Sequence, residues 1–211
     1  MKQHFLLERM VRFFKTHGFG GGIKRVFIKI WHCICAKPDV IYFADLPLLS
    51  PKVQLAEMCQ VVERRSYDSM ENCELDALCN YMGRSITMYQ LKERFSKGAI
   101  IWLLKKGDDC LGMVWTITGN TIEPFYYFMG KEDVHFFNNE IFSPYRGQGF
   151  NHGLIEYVIL ALKERRYIRA YIETNKRNVR EQRSLKRTSF QVVGLAKKMK
   201  WFGKHLTVWG E

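Results

Sequence analysis

Two glycines and an arginine stand immediately before a predicted helix in the segment SPYRGQGFNHG, residues 143–153. Backbone N–H groups in the first turn of a helix have no internal partner, and the helix dipole adds partial positive charge there. Gly147 and Gly149 let the main chain approach an anion closely because they carry no Cβ. Arg146 adds a charged donor at the rim. The segment is therefore typical of a site that holds pyrophosphate on main-chain N–H groups, although a purely structural tight turn is a competing interpretation.

The elements that must position this segment follow from the hydrophobic periodicity of the chain. Two apolar runs around a Gly-Asp turn predict a β-hairpin, and the segment itself joins a strand to a helix. The predicted order is strand 39–49, two helices within 52–96 with a break at 83–85, strands 99–106, 110–118 and 134–142, helix 153–165, strand 168–174, helix 178–188, and strands 190–202 and 205–209. This order predicts a mixed α/β sheet with one strand–helix–strand crossover at its centre.

Composition sets limits on the partners. The chain has 211 residues, of which 47% are hydrophobic, so a packed core is expected. Its apolar runs are much shorter than the ~20 residues of a membrane-spanning helix. The net charge of +12 favours polyanionic partners such as a phosphate-rich cofactor, a nucleotide-linked substrate, anionic lipid or nucleic acid. The six cysteines have neither zinc-site nor C-x-x-C spacing, which predicts reduced thiols in a cytoplasmic protein and no metal site.

Residues 1–37 are predicted to form a basic, amphipathic helical extension, separate from a main domain at 38–211. Two short segments with apolar residues at helical spacing flank the glycine-rich run HGFGGG at 17–22. One interpretation is a pair of helices packed on the main domain. The other is a peripheral contact of residues 1–36 with an anionic membrane, where basic residues flank buried apolar ones.

Two landmarks resemble the GNAT superfamily of N-acetyltransferases. The segment PYRGQGFN is similar to that family's acyl-CoA loop, Q/R-x-x-G-x-G/A, with Arg146, Gln148 and Gly149 in register. The segment NVREQRSLKRTSF keeps the family's spacing of twelve residues from an asparagine, Asn178, to a phenylalanine, Phe190. With the element order, the resemblance covers about residues 38–209. It implies a GNAT-like α+β fold: a mixed, mostly antiparallel sheet with a V-shaped splay between the fourth and fifth predicted strands.

The resemblance also implies acetyl-CoA, or another acyl-CoA, as co-substrate. Its pyrophosphate would lie on the amides of residues 147–151, and its pantetheine arm along the strand that ends near Phe142. A main-chain N–H at Ile141 or Phe142 would polarise the thioester carbonyl, and a small amine would attack directly. The implied cofactor-binding residues are Ile141, Phe142, Arg146, Gly147, Gln148, Gly149, Phe150, Asn151 and Asn178.

The general base is the least determined role. Glu140 is the leading candidate because it stands one or two residues from the proposed carbonyl-binding amide; a solvated or salt-bridged carboxylate is the other interpretation. His135 and Glu173 are further candidates. Because side chains alternate along a strand, His135 and Glu140 are predicted to face opposite sides.

The chain departs from the family pattern at three positions. Asn151 replaces the final Gly/Ala of the loop, and Ser189 replaces the glycine that usually precedes Phe190. Leu185 occupies the place where many members carry a tyrosine that protonates the departing thiolate. A leucine cannot donate a proton.

Two function hypotheses follow. The first is an acyl-CoA-dependent N-acetyltransferase acting on a small, nucleotide-linked or free amine such as an amino sugar, in the cytoplasm or at the inner face of the membrane. The second is a catalytically lapsed acyl-CoA-binding or membrane-surface interaction module, which Leu185 and the basic extension favour. Nucleic-acid binding is disfavoured because aromatic residues are not interleaved with the basic run at 176–187. The sequence does not predict an oligomeric state.

Overall fold

The computed structural model describes residues 38–123, 125–201 and 204–210; the predicted extension at 1–37 lies outside them. The described residues form one sheet and four α-helices. The strands are β1 Asp39–Asp45, β2 Cys59–Arg64, β3 Ile100–Lys106, β4 Asp109–Thr118, β5 Asp133–Ile141, β6 Arg169–Asn175, β7 Gln191–Trp201 and β8 Lys204–Gly210. The helices are α1 Asn72–Met82, α2 Arg84–Ser96, α3 Phe150–Glu164 and α4 Val179–Leu185.

The strand order in the sheet is β2-β3-β4-β5-β6-β1-β7-β8. Every neighbouring pair is antiparallel except β5 and β6, which α3 connects as a crossover and which run parallel. Their pairing extends only from Asp133↔Arg169 to Phe136↔Ile172, although β5 continues to Ile141 and β6 to Asn175. The predicted mixed sheet, crossover and splay are therefore confirmed.

A β-bulge interrupts β5 beside this splay. The register against β4 passes from Trp115↔Phe137 to Met113↔Glu140, so that two residues of β5, Asn138 and Asn139, oppose one of β4. Asn138 has a φ of 51°, in the left-handed region where asparagine is tolerated better than most residues. A bulge shifts the alternation of side chains by one residue.

Helices cover both faces of the sheet. On one face, α3 and α4 bury Leu154, Ile155 and Leu185 with Phe136 of β5. On the other face, α1 and α2 bury Leu78 and Leu91 against β3 and β4. Among the described residues, no helix has both the length and the apolar character needed to cross a bilayer.

Two elements differ from the sequence prediction. Residues 59–64 form a strand although their spacing predicted helix, because they pair with β3 from Cys59↔Lys106 to Arg64↔Ile101. Their intrinsic preference is weak, and tertiary pairing decides their conformation. The strand predicted for 39–49 ends at Asp45, because Leu46–Leu48 forms a 3-10 turn with a proline in its first turn.

The chain between the first 3-10 turn and β2 passes close to the first turns of α3. A Cβ built on Gly153 would lie 2.6 Å from the carbonyl oxygen of Gln54 and 3.4 Å from the side chain of Leu55. This approach requires glycine and holds the start of α3, and with it the glycine-rich loop, against the body of the domain.

Substituting Gly153→Ala is expected to destabilise the protein. In an unobstructed helix the change stabilises by about 1 kcal/mol, but here the new methyl group collides with main chain, and overpacking costs about 1–3 kcal/mol. Urea unfolding of the two proteins measures the difference. A higher free energy of unfolding in the variant would contradict the close approach.

Candidate functional site

The glycine-rich loop presents a row of unused main-chain donors. Gly147 and Gly149 have φ values of 83° and 82°, and Gly149 caps α3 in the left-handed conformation. The N–H groups of residues 147–151 donate to no acceptor in the described part of the chain, whereas the flanking N–H groups of Arg146 and His152 bond to Ser143 and Gly149. A Cβ on either glycine would meet open space. The loop therefore has the donors and the room to hold an anion.

Arg146 joins this loop to the end of β5. Its Nε donates to the carbonyl oxygen of Ile141 at 2.7 Å, and its Nη2 donates to Tyr81 Oη at 3.0 Å and to Glu140 Oε2 at 3.2 Å. The sequence predicted a charged donor at the rim. The structure engages the guanidinium within the protein, where it orients the loop and keeps its charge beside it.

A cleft of about 510 Å³ lies between the open edge of β5 and α4, and the loop forms one wall. Gln148 lines a neighbouring cavity of about 410 Å³ on the other side of Gly149 and Phe150. The first cleft is basic, since four arginines in its walls, Arg146, Arg180, Arg183 and Arg187, outnumber the carboxylates of Glu140 and Glu181.

Polar side-chain atoms in the cleft wall lack partners. Both amide atoms of Asn139 and the amide oxygen of Asn151 are buried without a hydrogen bond to any described residue. Buried polar groups are normally satisfied, so these orphaned atoms, the free N–H groups and the positive charge all fit a polar, phosphate-bearing ligand such as an acyl-CoA. No group of three or more His, Cys, Asp or Glu in the described residues could hold a metal ion.

The end of β5 offers one free main-chain donor. The N–H of Phe142 donates to Leu111 O of the β4 side at 2.9 Å, so it is not available to a ligand. Successive N–H groups along a strand point in opposite directions, and the Ile141 carbonyl indeed meets Arg146 instead of β4. Of the two predicted positions, Ile141 is therefore the one whose N–H faces the splay.

The predicted separation of His135 and Glu140 is wrong. Val134 and Phe136 pack on the α3 side of the sheet, and so does Ile141, because the bulge between them shifts the alternation by one residue. His135 and Glu140 consequently lie on the same face of β5, opposite α3.

His135 is held by a carboxylate on the neighbouring strand. Its Nε2 lies 2.8 Å from Glu173 Oε2, and its Nδ1 is buried with no hydrogen-bond partner in the part of the chain that the structure describes. The rings of Phe125 and Phe137 flank the imidazole, with centroid distances of 4.5 and 5.6 Å. The imidazole thus has one oriented nitrogen and one free nitrogen on the face that also carries Glu140.

Asn178 begins α4 as its cap. Its side chain accepts from the Glu181 N–H and donates to Glu181 Oε2, which also accepts from Thr174 at 2.6 Å. Burial raises the pKa of Glu181, and the negative charges of Glu140 and Glu173 raise it further. Asn178 lines the cleft, and Glu181 is a cleft residue that no sequence motif indicated.

The departures from the family pattern are accommodated by new contacts. Asn151 Nδ2 donates to Ser184 Oγ at 2.8 Å and so links α3 to α4. The N–H and hydroxyl of Ser189 both donate to the buried carboxylate of Glu156. Leu185 is fully buried in the core, so no side chain at that position projects into the cleft.

No protein-family model and no curated protein matches the sequence. Solved structures do match. A GNAT-family acetyltransferase from Colwellia psychrerythraea has a TM-score of 0.53 at 10% identity, over 74% of this chain and 53% of that one. A GCN5-related N-acetyltransferase from Sphaerobacter thermophilus has a TM-score of 0.51 at 14% identity, over 82% and 50%.

A third solved structure is the GCN5-related glucosamine N-acetyltransferase region of a fungal multi-domain β-N-acetylglucosaminidase. Its TM-score is 0.54 at 12% identity, over 74% of this chain and 20% of that one. This chain spans about half the length of the two bacterial proteins. At such low identities the likeness shows the fold, and the chain has the GNAT fold.

Substituting Gly149→Ala is expected to weaken acetyl-CoA binding by about tenfold or more, measured by titration calorimetry. Alanine in the left-handed region costs about 1–2 kcal/mol, and relaxation of that strain would turn the N–H groups of the loop away from the anion. Gly107→Ala is the matched control, because Gly107 also has a positive φ and open space around its Cα but lies in the β3–β4 turn. Both variants should lose similar stability. Equal acetyl-CoA affinities in the two variants would contradict the role of the loop.

Proposed function

We propose that the protein is an acyl-CoA-dependent acyltransferase that transfers acetyl from acetyl-CoA to a small amine. One observation carries the proposal: the free N–H groups of residues 147 and 149–151 and that of Ile141 border the same basic cleft at the splay of the sheet. Unpaired main-chain donors in such a position need an external acceptor.

The loop would hold the pyrophosphate of the cofactor on main-chain N–H groups at the positive end of α3. Arg180, Arg183 and Arg187 would supply charge for the remaining phosphate. The orphaned amide of Asn139 and the cap residue Asn178 would contact the pantetheine arm. These roles keep the predicted set of cofactor-binding residues, without the main-chain N–H of Phe142 and with Asn139 added.

When bound, the cofactor supplies an activated acyl thioester. The Ile141 N–H would donate to its carbonyl oxygen, a contact that strengthens as negative charge develops there. Glu140 lies on the face of β5 opposite α3 and also lines the cleft, so the acceptor would approach the thioester from that face. Glu140 would take the proton that the amine loses as the new carbon–nitrogen bond forms and the carbon–sulfur bond breaks. Because Leu185 has no proton to give, water would protonate the thiolate.

An amino sugar, free or nucleotide-linked, is the acceptor we propose. The basic walls of the cleft suit a phosphorylated acceptor, and one solved structure with this fold is a glucosamine N-acetyltransferase region. A cytoplasmic location, with residues 1–36 resting on an anionic membrane, remains part of the proposal.

One observation favours a second candidate, a lapsed acyl-CoA-binding module. Leu185 is buried in the core, and Glu140 is already paired with Arg146. The two candidates differ in one measurement: the release of free thiol from acetyl-CoA in the presence of a panel of small amines. Tight acetyl-CoA binding without thiol release on any amine would favour the module.

For the enzyme, Glu140→Gln is expected to lower kcat by about a hundredfold or more, the usual range for a general base. The KM for acetyl-CoA should change little, since the amide keeps a partner for Arg146. His135→Gln is the comparison variant on the same face of β5. A large loss of kcat in His135→Gln with none in Glu140→Gln would overturn the assignment of Glu140. It would place the general base at His135, where β5 is still paired with β6.

A further inference from the structure

Arg94 lies on the buried face of α2, where an apolar residue is expected. The buried residues of α2 are Thr87, Leu91 and Arg94, a spacing that directs all three toward the sheet. Only 8% of Arg94 is exposed. Arginine is rarely so buried unless its charge has a partner.

The guanidinium of Arg94 has no acceptor in the described part of the chain. It lies over the rings of Trp115 and Phe137, with Cζ 5.0 and 5.3 Å from their centroids. Its Nη1 is buried without a hydrogen bond. The adjacent Glu93 bonds to Lys97 at 2.8 Å instead, and burial lowers the pKa of Arg94 to about 10.

Lys105, the other buried cation on this face of the sheet, has hydrogen-bonded counter-ions in the described part of the chain, unlike Arg94. Lys105 is 3% exposed, and its Nζ lies 2.6 Å from Glu71 and 3.2 Å from Glu74. Burial alone would lower the pKa of Lys105, but these two hydrogen bonds raise it. A buried charge is costly unless it is paired. Lys105 has its counter-ions within hydrogen-bonding distance, whereas Arg94 has none so close among the described residues, and Glu93 raises the pKa of Arg94 only through space.

Arg94 lies on the side of the sheet from which the acceptor would approach. The ring of Phe137 contacts Arg94 on one side and stacks on His135, at 5.6 Å, on the other. Just beyond Arg94, the Nζ of Lys97 donates to the carbonyl oxygen of Ile122, in the segment that joins β4 to β5. The guanidinium therefore lies between α2, that segment and the strand that carries Glu140.

We propose that Arg94 binds an anionic group, a carboxylate or a phosphate, carried by the acceptor. This inference rests on the proposed acyl transfer and narrows its substrate class to amines that bear a negative charge at one end. The two rings hold the planar guanidinium in place, and its fork of N–H donors matches the two oxygens of a carboxylate or phosphate.

The first test needs no variant. Thiol release is compared for glucosamine 6-phosphate against glucosamine, and for an amino acid against its amide. We expect kcat/KM to be tenfold to a hundredfold higher for the anionic member of one pair, the range of a charge-assisted hydrogen bond. The pair that shows the difference identifies phosphate or carboxylate. Equal values within both pairs would overturn the proposal.

The second test uses Arg94→Met, which keeps most of the apolar volume, and Arg94→Lys, which keeps the charge without the fork. In Arg94→Met the ratio between anionic and neutral acceptors should fall to about one, and Arg94→Lys should retain part of it. The control is Lys92→Met, which removes an exposed charge from the same helix and should leave the ratio unchanged. Thermal unfolding verifies that each variant is folded.

A third measurement separates this inference from the proposed function. If no amine releases thiol, the acyltransferase proposal fails, but the anion site can still be measured as stabilisation of the folded protein by inorganic phosphate. The Tm increase should be larger in the unmodified protein and in Lys92→Met than in Arg94→Met. An identical increase in all three would show that phosphate binds elsewhere and that Arg94 is a structural cation.

Discussion

The early end of the pairing between β5 and β6 is the constraint on which the site depends. Both strands continue beyond Phe136 and Ile172, so their facing main-chain groups lose the partners that a sheet interior normally provides. An unpaired N–H away from water is costly, and a β-bulge at Asn138 and Asn139 interrupts β5 beside this opening. The sheet therefore keeps an opening whose main-chain groups need hydrogen-bond partners from outside the sheet.

The polar residues that depart from the family pattern, Asn151 and Ser189, each form hydrogen bonds to a residue on another element. Asn151 would crowd a loop built for glycine or alanine, but its amide spans to Ser184 and ties α3 to α4. Ser189 gives two hydrogen bonds to the buried Glu156, which would otherwise be an unpaired charge in the core. These two polar departures each have a hydrogen-bond partner on another element, whereas Leu185 is buried in the apolar core.

Features that depend on the conformation of neighbouring residues could be predicted from the sequence. Features that depend on contacts with distant parts of the chain could not. Gly147 and Gly149 need a positive φ whatever surrounds them, which is why the loop and the start of α3 could be predicted. The strand at 59–64 depends on pairing with β3, about forty residues away, and its own spacing favoured helix. The face of Glu140 depends on a bulge whose position is set by β4, so strict alternation gave the wrong side. Arg94 carried no motif, because an arginine on a helix is ordinarily a solvated residue.

Charges of opposite sign lie in two places near β5: carboxylates near the strand end that carries Glu140, and the guanidinium of Arg94 next to Phe137. Burial raises the pKa of Glu181, and the nearby negative charges of Glu140 and Glu173 raise it further, so three carboxylates lie near one another beside the arginines of the cleft. Arg94 lies beyond the ring of Phe137 as a positive charge with no hydrogen-bonded counter-ion among the described residues. A protonated amine would be drawn to the carboxylates and its anionic end to Arg94, so an acceptor with both charges would bind in one orientation. That orientation would direct the nitrogen toward Glu140 and the open edge of β5, where proton removal and attack must occur together.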